Sequence, residues 1–132
     1  MENQVVRVGT AAIIRQNGKI LLIKRNAKNG FGKWCPPGGH LEMNEEPAKG
    51  AEREVLEEVG INVKNMRFAG ITNDIYEDLG KHYITIFFEC EPLTTNVKTN
   101  SEALEFGWFA MKDLPKPLFQ PFKSYVEGKL VT

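Results

Sequence analysis

Three glutamates, Glu54, Glu57 and Glu58, stand at i, i+3 and i+4 in a stretch that reads as a helix. At about 100° per residue they share one face. Carboxylates gathered in this way repel one another, and something must offset the repulsion. Arg53 stands beside them and Glu45 lies further upstream. Oxygen-only donors of this kind suit a hard divalent cation such as Mg²⁺, with Mn²⁺ able to substitute. The chemistry such a carboxylate cluster supports is metal-assisted displacement, with the ion orienting the substrate. A solvated acidic face is the competing reading of the same three residues.

The helix that must position them runs from about Glu45 to Val59. Asn44 is suited to cap its start, and Pro47 is tolerated only in a first turn. Gly60 ends it by accepting the left-handed conformation. Ala48, Ala51, Val55 and Val59 form the apolar stripe. Gly50 lies one turn before Glu54, where an interior glycine costs about 1 kcal/mol against alanine. A bare patch there would leave room for an ion and a phosphate chain.

Around this helix the chain alternates between strand and turn signals. Val5 to Ile14 reads as a buried strand, Asn17-Gly18 as a two-residue turn, and Lys19 to Arg25 as the partner strand. Asn26 to Lys33 is a Gly- and Asn-bearing loop. Trp34 to Glu42 is a short strand bent by Pro36-Pro37-Gly38-Gly39. Beyond the helix, Ile61 to Asn73 reads as a strand with a turn and Asp74 to Lys81 as a polar loop. His82 to Glu89 alternates as a sheet strand does. Pro92 to Ser101 is a polar connection expected to be mobile, Glu105 to Ala110 a further strand, and Met111 to Pro115 a turn. The spacing of Leu118, Phe119, Phe122, Tyr125 and Val126 predicts a C-terminal helix over residues 117–129. Strands on both sides of a central helix imply a layered α/β architecture in one domain over residues 1–132. The order of the strands stays open at this level.

Composition narrows the partners. The 17 basic and 17 acidic residues balance, which argues against a dedicated nucleic-acid polymer or membrane-surface binder. Cys35 and Cys90 are too few for a disulfide or zinc framework, so a reducing cytoplasm is the expectation. No apolar run approaches the roughly 20 residues of a membrane span. Cys35 has no neighbouring His or Asp pattern and reads as filler rather than a nucleophile.

Gly39, five residues, Glu45, seven residues, then Arg53-Glu54-Val55-Leu56-Glu57-Glu58-Val59-Gly60-Ile61 matches every specified position of the Nudix box. On residues 39–61 the chain resembles the Nudix hydrolase family. The resemblance implies an α/β/α sandwich with a mixed β-sheet, and cleavage of a nucleoside diphosphate linked to a further group. It implies metal ligation by Glu54, Glu57 and Glu58 with the Gly38 carbonyl, and an orienting ion pair between Arg53 and Glu45. The general base is left open among Glu57, Glu58 and a late-loop glutamate. Glu102 is the candidate there, and a further candidate metal ligand; a solvated loop charge competes. For substrate binding the candidates are Arg25 on phosphate, Gly39, and Phe31, Trp34 and His82 around the base. A strand-end charge competes for Arg25, packing for Trp34, and a structural role for His82.

The flanks, Gly32-Lys33-Trp34 through Glu42 and His82 to Phe87, resemble the MutT-like nucleotide-sanitising enzymes. That implies a small-molecule nucleotide substrate, a (deoxy)nucleoside triphosphate cleaved to monophosphate and pyrophosphate. ADP-ribose, nucleotide sugars and dinucleoside polyphosphates are the alternatives. A non-catalytic nucleotide-binding regulator is a different class, disfavoured because every box glutamate is present. A homodimer is left open.

Overall fold

Asn17 and Gly18 both take positive φ, 52° and 76°, as a two-residue hairpin turn demands. They fold strand β1 (Val6–Gln16) back onto β2 (Lys19–Arg25) in this computed structural model, which describes residues 4–132. β1 is the organising strand. Its last residues, Arg15 and Gln16, pair antiparallel with Ile20 and Lys19 of β2. Nearer its start, Gly9 to Ala11 pair antiparallel with β4 (Gly38–His40). Its other edge runs parallel to β6 (Lys81–Pro92), from Val6 opposite His82 to Ile14 opposite Cys90. β5 (Val63–Tyr76) completes that side, antiparallel to β6. On the far side β3 (Trp34–Cys35) and β7 (Ala103–Ala110) flank β2.

The sheet therefore forks where β1 exchanges β4 for β2 as its partner. Helix α1 (Pro47–Val59) packs against β1 and β4, and the short α2 (Gln120–Val126) packs against β5. The layered α/β architecture with a mixed sheet is the one expected. The centre of β1, Ala11 to Ile14, and that of β2, Ile20 to Ile23, are buried throughout. That explains apolar runs without alternation, as in strands covered on both faces. Val55, Val59, Ile61, Phe87 and Phe122 close the core around them.

Four expectations are corrected. The helix begins at Pro47, and its N-cap is Glu46, not Asn44. Asn44 instead takes a left-handed conformation, φ 66°, in a tight turn where the Glu45 N–H donates to the Glu42 carbonyl at 3.2 Å. The chain turns onto the helix axis only after that loop closes. Asp74 to Lys81 is not a loop: β5 continues to Tyr76, and a 3-10 turn covers Glu77–Leu79. The buried Asp74 is tolerated in the strand because the hydroxyls of Thr72 and Thr85 both donate to its Oδ2 at 2.8 Å. The connection after Pro92 is tied down rather than loose, with N–H groups of Leu93, Lys98 and Asn100 donating to the carbonyls of Asn62, Val59 and Glu58. The C-terminal helix is shorter than expected, because Leu118 is held extended beside Trp34 and Pro121 fits only a first turn.

Candidate active site

Arg53 is the hub of the acidic helix. Its Nε donates to Glu45 Oε2 at 2.7 Å and its Nη2 to Glu45 Oε1 at 3.0 Å, a two-point clasp. Nη2 also donates to the His40 carbonyl at 3.1 Å. Nη1 donates to Glu54 Oε1 at 2.9 Å and to Glu57 Oε2 at 3.1 Å. A guanidinium has five N–H donors, and here each has an acceptor. One cation thus ties the loop before α1 to two turns of the helix. The Arg53 contact holds Glu45 down at about 2, well below the usual carboxylate range.

Gly50 serves this clasp rather than an open patch. A Cβ there would lie 2.8 Å from Glu45 Oε1 and 2.9 Å from Leu41 Cδ1. The space expected to receive an ion and a phosphate chain is filled by the loop before the helix. That corrects the reading of Gly50.

The three helix glutamates occupy different depths. Glu57 is exposed, Glu54 is largely covered, and Glu58 is buried with 5% of its surface exposed. The Gly38 N–H donates to Glu58 Oε1 at 3.0 Å. Burial pushes the Glu58 carboxyl up to about 8; the Gly38 N–H opposes this, while Glu102 and Glu54 add to it. Burial also raises Glu54, with Arg53 opposing. Glu102, distant in sequence, stands near enough to Glu58 for its charge to add to the rise there. Among the described residues no closed set of His, Cys, Asp and Glu side chains is assembled as a metal cage, because Glu54 and Glu57 lean on Arg53. The donor chemistry nonetheless fits a divalent ion. Glu58 and Glu54 are covered carboxylates raised first by burial and then by neighbouring carboxylates, and a hard cation beside them relieves that cost.

A cavity of ≈ 300 Å³ opens in the fork of the sheet. Gly38 and Gly39 form one wall, and they touch the glutamates from the other side: a Cβ on Gly39 would lie 2.4 Å from Glu54 Oε2. The opposite wall is aromatic. Phe119 stacks on Tyr76 with rings 13° apart, and Tyr83 meets Tyr76 edge-on. Arg25, Lys28 and Lys81 bring positive charge to the rim. The Arg25 guanidinium lies 3.9 Å from the centre of the Phe119 ring, and its Nε donates to the Asn29 carbonyl at 3.0 Å.

Of the substrate-binding candidates, Arg25 and Gly39 line this cavity. Phe31, Trp34 and His82 are not among its lining residues. Phe31 points to solvent from the loop, 64% exposed. Trp34 is buried edge-on against Phe109 as a packing residue. His82 sits on the opposite face of β6 and meets Asn73 Oδ1. Tyr76, Tyr83 and Phe119 take the places expected of them. The alternation of β6 signals Tyr83, Thr85 and Phe87 as one face, but Phe119 reads as part of an amphipathic helix. Cys35 borders the cavity, buried, with its thiol pushed up to about 11 by burial and only Arg25 within reach.

A mixed sheet between two helices, with an Arg-centred glutamate helix beside a cavity, defines a class as well as a site. The profile of the NUDIX domain matches residues 4–127, and the chain belongs to the Nudix family. It is a hydrolase acting on nucleotide-linked substrates, in a family whose members in general use divalent metals. It is 31% identical over 110 residues to a MutT-like protein of Streptomyces ambofaciens, covering 83% of this chain and 67% of that one. It is 32% identical over 125 residues to an ADP-ribose pyrophosphatase of Methanocaldococcus jannaschii, covering 92% and 74%. The crystal structure of a MutT NUDIX hydrolase from Burkholderia pseudomallei superposes with a TM-score of 0.90 at 30% identity, covering 98% of this chain and 100% of that one. No helix among the described residues is long and apolar enough to cross a membrane.

Proposed function

We propose that this enzyme hydrolyses a nucleoside or deoxynucleoside triphosphate to the monophosphate and pyrophosphate, with Mg²⁺ as its metal. The observation that carries this reading is the shared wall. Gly38 and Gly39 line the aromatic cavity on one side and touch Glu58 and Glu54 on the other. A base held between aromatic faces would gain roughly 1–3 kcal/mol from stacking. Its phosphates would then run past the two glycines toward the carboxylates, with Arg25, Lys28 and Lys81 at the rim. A cavity of ≈ 300 Å³ lies at the low end of the range of about 300–1,000 Å³ for small-molecule sites, which suits one nucleoside.

Glu54, Glu57 and Glu58, with the Gly38 carbonyl, would hold the metal, and Glu102 is placed to join them. When bound, the ion supplies charge neutralisation at the phosphates. Arg53 keeps Glu45, Glu54 and Glu57 in fixed relative positions, and the Gly38 N–H orients Glu58. The general base would be a carboxylate of this cluster, taking a proton from the attacking water as a phosphoanhydride P–O bond breaks. The neutral net charge of the chain leaves these few groups to meet the phosphates without help from a global field.

A second reading, ADP-ribose hydrolysis, has the name of the Methanocaldococcus jannaschii relative and one structural feature behind it. A recess of ≈ 500 Å³ bordered by Lys33, Glu77, Asp78 and Gln120 shares Tyr76 and Phe119 with the first cavity. The test is a panel of triphosphates, ADP-ribose, nucleotide sugars and dinucleotides with Mg²⁺, run in ¹⁸O-labelled water and scored by product mass. The proposal expects pyrophosphate and monophosphate as first products. Orthophosphate released first, or turnover of ADP-ribose or dinucleotides alone, would refute it.

A further inference from the structure

We infer that Asn100 is a positioning residue that fixes the Glu102 carboxylate against the end of the glutamate helix. The last carbonyls of any helix lack partners within it. Here two of them belong to Glu57 and Glu58, the residues whose side chains form the site. The Asn100 N–H donates to the Glu58 carbonyl at 3.2 Å, and its Nδ2 donates to the Glu57 carbonyl at 3.1 Å. Its Oδ1 faces onward and accepts from the Glu102 N–H at 2.9 Å. One side chain therefore uses both ends of its amide, one on the helix and one on the residue that completes the acidic cluster.

The loop is gripped from the other side as well. The Asn26 N–H donates to the Glu102 carbonyl at 3.0 Å, and Asn26 Nδ2 donates to the Ser101 carbonyl at 2.9 Å. Asn26 follows the last residue of β2, so Glu102 is referenced to both the sheet and the helix. The Asn26 contacts set where the loop passes. Among the described residues, only Asn100 ties its position to the backbone of Glu57 and Glu58. Among side chains of this length, only an amide carries a donor and an acceptor together. Aspartate keeps the acceptor for Glu102 and loses the donor to Glu57; alanine loses both. The backbone N–H groups of Lys98 and Asn100 still hold the loop on the helix end without that amide, so its loss shifts Glu102 and leaves the loop docked. Placement errors near 1 Å can cost about 10²-fold in rate, so turnover should fall before substrate affinity does.

The inference rests on the acidic cluster being the reaction site, as proposed above, but not on which nucleotide is cleaved. The experiment is a double-mutant cycle of Asn100→Ala and Glu102→Gln, with kcat and KM measured on whichever nucleotide the panel shows to be turned over. The expected result is a fall in kcat of about 10-fold or more for Asn100→Ala, with KM changed less than about twofold. Glu102→Gln should fall at least as far, and the double variant should be no slower than Glu102→Gln alone. Asn100→Asp, which keeps the contact to the Glu102 N–H, should recover part of the loss; it also carries the test if Asn100→Ala melts early. Multiplying effects in the double variant, or a loss confined to KM, would overturn the inference. Glu102→Gln with unchanged kcat would overturn it too, while leaving the helix glutamates and the proposed reaction standing.

Discussion

Two adjacent glycines should fail in opposite ways when given the same methyl group. Gly39 lies in β4 with no positive φ, so alanine meets no backbone strain there. Its new Cβ would stand 2.4 Å from Glu54 Oε2 and 2.5 Å from Glu54 Cδ, whereas ordinary contact starts at 3.4 Å. The carboxylate must retreat by about 1 Å, which the end of a flexible side chain can do. The fold survives, but a metal-ligand candidate is displaced. A shift of that size costs about 10²-fold in rate, or roughly 2.7 kcal/mol of barrier. In Gly38→Ala the Cβ would stand 2.0 Å from the Thr10 carbonyl oxygen and 2.9 Å from Ala11 Cα, both backbone of β1. Nothing there can swing aside, so β4 and β1 must part. Overpacking of this kind costs at least about 1–3 kcal/mol. At about 3–5 °C per kcal/mol for a chain of this length, the melting temperature should fall by roughly 3–15 °C. Thermal denaturation and steady-state kinetics on both variants test the pair. Wild-type kcat in Gly39→Ala, or a wild-type melting temperature in Gly38→Ala, would refute the reasoning.

Arg53→Lys should lower both melting temperature and kcat, because one ammonium has too few donors, wrongly directed, for the acceptors gathered around the guanidinium. An unchanged melting temperature with loss only in KM would put Arg53 on the phosphates instead. Glu58→Gln keeps the acceptor for the Gly38 N–H and removes the cost of holding a buried carboxyl protonated at neutral pH, so the melting temperature there should hold or rise while kcat falls by about 10²-fold or more; near-wild-type turnover in the folded variant would sink its assignment as a metal ligand. Asp74 is fully buried with one oxygen unpartnered, and burial raises its pKa above the usual 3.8, with the Thr72 and Thr85 hydroxyls opposing. Above 3.8 and up to the raised value the folded state binds more protons than the unfolded one, so this group's contribution to stability falls as pH rises through that window. Asp74→Asn should therefore gain in melting temperature relative to wild type as pH rises above about 4, and a difference that does not change with pH would contradict this.

The parts of the molecule legible in the sequence are those with local causes. Asn17-Gly18 sets a hairpin through its own backbone preferences, and Gly60, at φ 70°, ends the helix in the same way. The i, i+3, i+4 glutamates follow from helix geometry alone. Asn44 shows where local reading fails. Its preference for a cap is real, but Glu45 is committed to Arg53, eight residues on, and that contact bends the chain before the helix can start. The lining of the cavity escapes local reading for a related reason. The alternation of β6 separates Tyr83, Thr85 and Phe87 from His82, Ile84 and Ile86, yet period alone does not say which face looks into the fork. That depends on parallel pairing with β1, which no local pattern encodes. Phe119 belongs to the wall because Pro121 delays the helix into which its spacing placed it. Asn100 carries no signal at all among the polar residues around it; its role exists only where the loop meets the helix end.

The parallel pairing of β1 with β6 also sets a timetable. Val6 waits for His82, so the chain must close a long loop before the two strands can find register, and that closure is entropically slow. During synthesis the glutamate helix, residues 47–59, emerges well before β6, and Asn100 and Glu102 emerge later still. Arg53 can clasp Glu45 and Glu54 as soon as the helix forms, because all three lie in one short segment. The guanidinium thus screens the acidic helix from its own repulsion throughout the interval in which the sheet is incomplete. A chain stalled before Lys81 would hold its carboxylates in order and still lack the floor of the cavity and the loop that closes over the helix end. Competence to bind nucleotide should therefore arrive abruptly, once β6 has docked and the later segment with Glu102 and Phe119 has joined it, and not grow in step with chain length.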